Sequence, residues 1–272
     1  MAEEPLSRIA AALERLAPPP PAMADPCAHP AYVWRGDALD TAHHFAPLPL
    51  ALLTGIDAQR DAVLGNSRRL ARGAAAHDIL LWGARGSGKS MLAKSALAAL
   101  QAEGEDIALV EVASDRLASL PDLFEMLASV DRAFILFVDD IGFDGDAAAA
   151  RALRSLLEGG AEARPANARL YVTSNRRHIV PRSMAEQDDP VNPRDARDDS
   201  LALADRFGLS LGFHAAGRPD YLAMVEAYAR HYGLAYDEAE AIGWAARRGG
   251  RSGRVAWQYV IELAGRAGRS LS

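Results

Sequence analysis

The sequence predicts an α/β fold: a parallel sheet with helices on both faces, followed by a small all-helical domain. Three observations predict it. Short apolar runs alternate with helix-length segments through the middle of the chain. One of these runs, Phe134-Ile-Leu-Phe-Val138, is apolar at every position, as a strand covered on both faces must be. After Gly217 the pattern changes to three helix-length segments separated by glycine-rich breaks.

Taken in order, Leu6, Ile9, Leu13 and Leu16 recur at helical spacing and predict a short amphipathic helix. The proline run 18–21 stops it and acts as a stiff spacer. Two readings stand for this helix, a strap packed on the body or a docking element for a partner. Residues 25–45, with Tyr32 and Trp34, show no clear period and are expected to be a connector. A helix is expected over 58–71, ending near Gly73, and a strand over 78–82. The alanine- and leucine-rich segment 91–103 predicts a helix, 107–112 a strand and 121–129 a helix. The apolar strand 134–138 follows, then a helix over 147–157 and strands over 170–173 and 209–213. Between them, the polar stretch 181–200 reads as a long surface loop. Helices over 220–232, 237–247 and 255–266 make the C-terminal domain. The expected division is an N-terminal helix and connector (1–50), a core domain (51–216) and a helical domain (217–272).

Composition narrows the class. With 272 residues, 50% hydrophobic and 24% charged, the chain has ordinary globular composition rather than that of a disordered protein. The net charge of −6 gives no global attraction to nucleic acid or an anionic membrane, although a local basic patch stays open. No stretch approaches the roughly 18 apolar residues of a membrane-spanning helix. The acidic N-terminus does not read as a secretory signal, so a cytoplasmic protein with no membrane partner is expected. The lone cysteine, Cys27, excludes an intramolecular disulfide and any multi-cysteine metal site within one chain.

The strongest chemical signal is Gly83-Ala84-Arg85-Gly86-Ser87-Gly88-Lys89-Ser90, which matches G-x-x-x-x-G-K-S in full. It follows a predicted strand and leads at Met91 into a predicted helix, the setting a phosphate-binding loop requires. Its glycines let backbone amides approach phosphate oxygens, and the helix N-terminus adds its dipole. Lys89 is expected to reach the β- and γ-phosphates and the Ser90 hydroxyl to ligate Mg²⁺. The sheet is therefore expected to be that of a P-loop NTPase that holds a nucleotide's phosphates with Mg²⁺.

Strand 134–138 delivers Asp139 and Asp140. Asp139 suits the acidic partner of the Mg²⁺ ion, and Asp140 is the candidate general base for the attacking water. Asn175, after strand 170–173, can hold that water by hydrogen bonding without adding charge. The basic trio Arg176, Arg177 and His178 reads either as a solvated loop or as a contact to phosphate or a neighbouring subunit. Arg206 stands just before the last strand, and Arg254 at the start of the last helix. A permanent charge and a planar donor fork suit either arginine to γ-phosphate recognition.

The order phosphate loop, Phe137-Val-Asp-Asp140, Thr173-Ser-Asn175, Asp205-Arg-Phe207 and Gly253-Arg254 resembles an AAA+ ATPase with its helical lid. More narrowly, Leu53-Thr-Gly-Ile-Asp57, Thr173-Ser-Asn-Arg-Arg-His178 and Arg248-Gly-Gly-Arg-Ser-Gly-Arg254, with the phosphate loop, resemble a bacterial AAA+ family catalogued as a domain of unknown function. The resemblance covers roughly residue 53 to the C-terminus. It implies that Ile56 lines the adenine pocket and that Asn175 is the sensor-1 residue. It also implies that Arg206 is a finger supplied to the next subunit's ATP site, and Arg254 the sensor-2 arginine. Asp140 stands where many members carry Glu. The shorter acid resembles that of replication-initiator and helicase-loader relatives, which implies slow hydrolysis.

The leading expectation is a homo-oligomeric AAA+ ATPase that shares ATP sites between subunits and remodels or loads a macromolecular client. The acidic balance favours a protein client over nucleic acid. The alternatives are an ATP-dependent assembly switch with little intrinsic hydrolysis, similar to helicase loaders, and a small-molecule kinase built on the same loop.

Overall fold

A computed structural model describes residues 5, 7–9, 13, 15, 23–142, 147–158, 164–175 and 204–271. Seven strands among them form one sheet: β1 (Ala31–Trp34), β2 (Leu39–Thr41), β3 (Ile79–Gly83), β4 (Ile107–Val112), β5 (Ala133–Val138), β6 (Ala168–Ser174) and β7 (Leu209–Phe213). Their order is β2-β1-β4-β5-β6-β3-β7, and every adjacent pair is parallel except β1 with β2. The helices are α1 (Asp57–Ala71), α2 (Lys89–Ala102), α3 (Leu120–Ala128), α4 (Ala147–Glu158), α5 (Arg218–His231), α6 (Glu238–Arg247) and α7 (Gly253–Arg266). Helix and strand thus alternate through the core, as the apolar runs predict.

The period of two along a strand divides the core between the two faces. In β5, Phe134, Leu136 and Val138 face one layer, with Leu120, Leu123 and Leu153 of α3 and α4. Ala133, Ile135 and Phe137 face the other, with Val63 and Leu70 of α1 and Leu92, Ala96 and Leu100 of α2. All six β5 residues are buried, which explains why this strand carries no polar position.

The expected connector over 25–45 is corrected by the structure. It supplies β1 and β2, and β1 pairs in parallel with β4 from Ala31 beside Leu109 to Trp34 beside Val112. Tyr32, Trp34 and Leu39 are buried in the same layer as α3 and α4. Four- and three-residue strands are too short to show a period, so their identity comes from the edge of β4 that they cover. Arg132, 8% exposed, secures this added segment. Its Nη1 donates to the carbonyls of Pro26 and His29, both at 2.8 Å, and its Nε lies 2.8 Å from Asp106 Oδ1. Arg132→Ala leaves these acceptors without their donor and is expected to cost about 3 kcal/mol of stability. A urea midpoint, with proteolysis over residues 23–42 as a local readout, checks it; an unchanged midpoint rejects the staple.

After β7, α5, α6 and α7 gather a core of their own around Tyr221, Val225, Tyr228, Tyr259 and Val260. Leu52, from the short 3-10 turn Leu50–Leu52, completes it from the core side. Side chains cap two of these helices: Asp237 accepts from Glu240 N at 2.7 Å, and Ser252 from Val255 N at 3.3 Å. Of the expected N-terminal helix, Ile9 and Leu13 are helical and exposed. Leu6, Leu16, the proline run, Arg176 to His178 and the polar stretch 181–200 lie outside the described residues.

Candidate functional site

The phosphate loop leaves β3 at its C-terminal end and enters α2 at Lys89. All three of its glycines have positive φ, and two show what the geometry requires. Gly83 has φ +128°, and a Cβ there would lie 2.0 Å from the Phe213 carbonyl oxygen of neighbouring β7. Gly88 has φ +96°, a left-handed residue that turns the chain into the helix. The loop is held in shape by its own bonds: Ala84 N donates to Phe213 O at 2.9 Å, and Ser87 Oγ to Ala84 O at 2.7 Å.

Lys89 is 5% exposed, and all three of its donors are satisfied. Nζ donates to Gly83 O at 3.0 Å, Ala84 O at 2.9 Å and Asn175 Oδ1 at 3.0 Å. Burial pushes its pKa down, and the facing Asp140 and Asp139 carboxylates oppose that shift. Asn175, at the end of β6, also donates through Nδ2 to Asp140 Oδ1. One amide therefore bridges the loop lysine and the candidate base.

Beside this bridge, Ser90 Oγ and Thr173 Oγ1 each donate to Asp139 Oδ1 at 2.6 Å. Thr173 Oγ1 also accepts from Asp140 N at 2.8 Å. Consecutive strand residues point to opposite faces, yet Asp139 and Asp140 line one cavity. The backbone explains it: Asp140 has φ +54°, the sole positive value at a non-glycine position among the described residues. Aspartate tolerates this conformation better than most residues, and the Thr173 and Asn175 bonds hold it there. Thr173 therefore sets both carboxylates. Sequence reasoning quoted it only as part of a strand end and assigned it no role.

The cavity measures about 430 Å³. Its polar side is the loop from Arg85 through Met91 with Asp139, Asp140, Thr173 and Asn175. Its apolar side is Ala46, Leu48, Leu53, Tyr228 and Trp257. Tyr228 and Trp257 meet edge to face with ring centroids 5.4 Å apart, and burial pushes the Tyr228 phenol up to about 12. These two aromatic walls come from α5 and α7, and no local sequence signal marks them. The cleft thus has the mixed character of a nucleotide pocket, charged at one end and apolar at the other.

Arg254 lines the cavity. Its backbone N–H donates to Gly86 O at 3.4 Å, so the N-terminus of α7 rests on the phosphate loop. Ile56, 9% exposed, packs behind the loop, 3.7 Å from where a Cβ on Gly88 would stand, and is not among the residues lining the cavity. Arg85 is exposed, its Nη2 3.9 Å from Asp140 Oδ2.

Arg206 lies apart from this cavity. β3 and β7 are parallel, with Gly83 beside Phe213 at the loop end and Ile79 beside Leu209 at the other. Arg206 precedes Leu209, so about 13 Å of strand separates it from its own chain's phosphate loop. It forms an ion pair with Glu158.

A hard divalent cation fits the donors present. Ser90 and Asp139 offer a hydroxyl and a carboxylate side by side, and Mg²⁺ characteristically takes one or two protein oxygens together with substrate phosphates. Among the described residues no group of three His, Cys, Asp or Glu gathers to hold a metal by itself.

The same architecture recurs in solved structures. RuvB from Thermotoga maritima matches with a TM-score of 0.52 at 19% identity, over 83% of this chain and 68% of that one. The Aeropyrum pernix ORC1 protein, solved in complex with DNA, matches with a TM-score of 0.54 at 16% identity, over 85% of this chain and 68% of that one. These likenesses establish the P-loop AAA+ fold. No curated protein matches. The family model described as "Protein of unknown function (DUF815)" matches residues 27–267, and it is to this family, on an AAA+ fold, that the chain belongs.

Proposed function

We propose that the chain binds and hydrolyses ATP with Mg²⁺, in a homo-oligomer whose subunits share their ATP sites, to remodel or load a macromolecular partner. The observation that carries this reading is the bridge from Lys89 through Asn175 to Asp140, set beside Ser90, Asp139 and Thr173. A loop that only bound phosphate would need the lysine and the glycines. It would not need a carboxylate held by an amide at the same edge.

In this reading the loop amides and Lys89 hold the phosphates, while Tyr228, Trp257, Leu48 and Leu53 enclose the base. Ser90 and Asp139 would hold Mg²⁺, which supplies neutralisation of charge on the phosphate oxygens. Asp140 accepts the proton of the attacking water, and Asn175 orients that water. Arg254 brings the helical lid onto the γ-phosphate. Arg206 completes the neighbour's site, because it stands too far from its own.

Asp140→Asn is expected to keep ATP binding and to lose about 10²–10⁴-fold in turnover, since an amide cannot accept the proton. Wild-type turnover in that variant rejects the assignment. Steady-state ATPase activity, with and without single-stranded DNA and across protein concentrations, tests catalysis, client and assembly together. No turnover under any of these conditions, with ATP binding intact, leaves the assembly-switch reading.

A further inference from the structure

We propose that Glu158 is a latch on Arg206, holding the arginine within its own chain until a neighbouring subunit's ATP takes the carboxylate's place. The inference rests on the shared-site reading and adds its control. Glu158 is the last described residue of α4. It forms an ion pair with Arg206, across the chain.

The surroundings of Arg206 show why this pair can open. Arg206 lines a polar hollow of about 450 Å³ with Arg164, Arg169, Asp78 and His77. Arg164 is committed to Asp78, at 2.7 Å, and Asp78 in turn accepts from Leu170 N at 2.8 Å. Arg169 donates to the carbonyls of Ala76, Ala168 and Pro165 at 2.7, 2.6 and 3.2 Å. Both are built into the fold. Arg206 is different: among the described residues its ion-pair partner is Glu158 alone, and the two side chains are 33% and 48% exposed.

A half-exposed ion pair is weak and exchangeable. A guanidinium fork receives a phosphate as readily as a carboxylate, and a triphosphate carries more charge. Glu158 therefore stands in for the anion that Arg206 is proposed to meet in a neighbour, and the two compete for one fork. That competition raises the concentration at which subunits complete each other's sites, so stray pairs of chains hydrolyse less ATP.

The test is Glu158→Gln, which keeps shape and removes the charge. Half-maximal ATPase activity per chain is expected at about 2–5-fold lower protein concentration than in wild type, the range set by an exposed ion pair. Sedimentation velocity with a non-hydrolysable ATP analogue, independent of turnover, is expected to show the same shift in assembly. Adding Arg206→Ala to Glu158→Gln is expected to abolish the shift in this sedimentation readout, which does not need turnover. An unmoved midpoint, with wild-type activity still dependent on concentration, overturns the latch alone. A raised midpoint also overturns it and makes Glu158 a positioning residue for Arg206. Concentration-independent wild-type activity overturns the shared site and the latch together.

Discussion

Arg206→Ala is expected to bind ATP as wild type does and to turn it over about 10³–10⁵-fold more slowly. Phosphoryl transfer spreads charge over the γ-phosphate oxygens, and an arginine supplied from outside the site neutralises it at that moment. The geometry places Arg206 at the opposite end of β7 from the phosphate loop, so its own ATP is out of reach. The decisive experiment mixes two inactive variants. Asp140→Asn chains keep Arg206, and Arg206→Ala chains keep Asp140. Where an Arg206→Ala site meets an Asp140→Asn neighbour, both groups are intact, and activity is expected to return across a range of mixing ratios. No recovery, together with wild-type activity that does not change with concentration, describes a monomeric ATP switch instead.

Lys89→Ala is expected to abolish measurable binding of a Mg-ATP analogue in calorimetric titration. The side chain is buried against the loop it serves, and its ammonium ties Gly83, Ala84 and Asn175 together. Alanine removes the buried cation of the loop and frees Asn175 from one of its two partners. Lys89→Met separates these effects from packing, because it keeps the apolar stem and lacks the charge. A thermal midpoint near wild type in either variant shows that the fold survives. Retained affinity in the Met variant rejects the assignment of the loop.

The likeness to RuvB and ORC1 bears on fold, at 19% and 16% identity, and leaves the client open. The exposed Ile9 and Leu13 near the N-terminus, before the part of the chain that the family model matches, are candidates for a client contact. Activity measured with the first 22 residues removed separates a role in client coupling from a role in catalysis.

What the sequence by itself determined was local. A five-residue all-apolar run such as Phe134 to Val138 reads as a strand covered on both faces, and a complete phosphate loop between strand and helix has one common use. The boundaries of α1 to α7 were legible within a few residues for the same reason: periodicity and glycine breaks act over a single turn or two. Tertiary structure decided everything that depends on residues distant in the chain. β1 and β2 are too short to announce themselves and exist because β4 offers an edge. Asp139 and Asp140 share a cavity because Thr173, from the next strand, stabilises a left-handed turn at Asp140. The apolar wall comes from Tyr228 and Trp257, which lie on two helices of the C-terminal region. The pairing of Arg206 with Glu158 is of the same kind. Side-chain chemistry is written in the residue, but which group it meets is settled by burial of the core, since that alone brings distant segments within hydrogen-bonding reach.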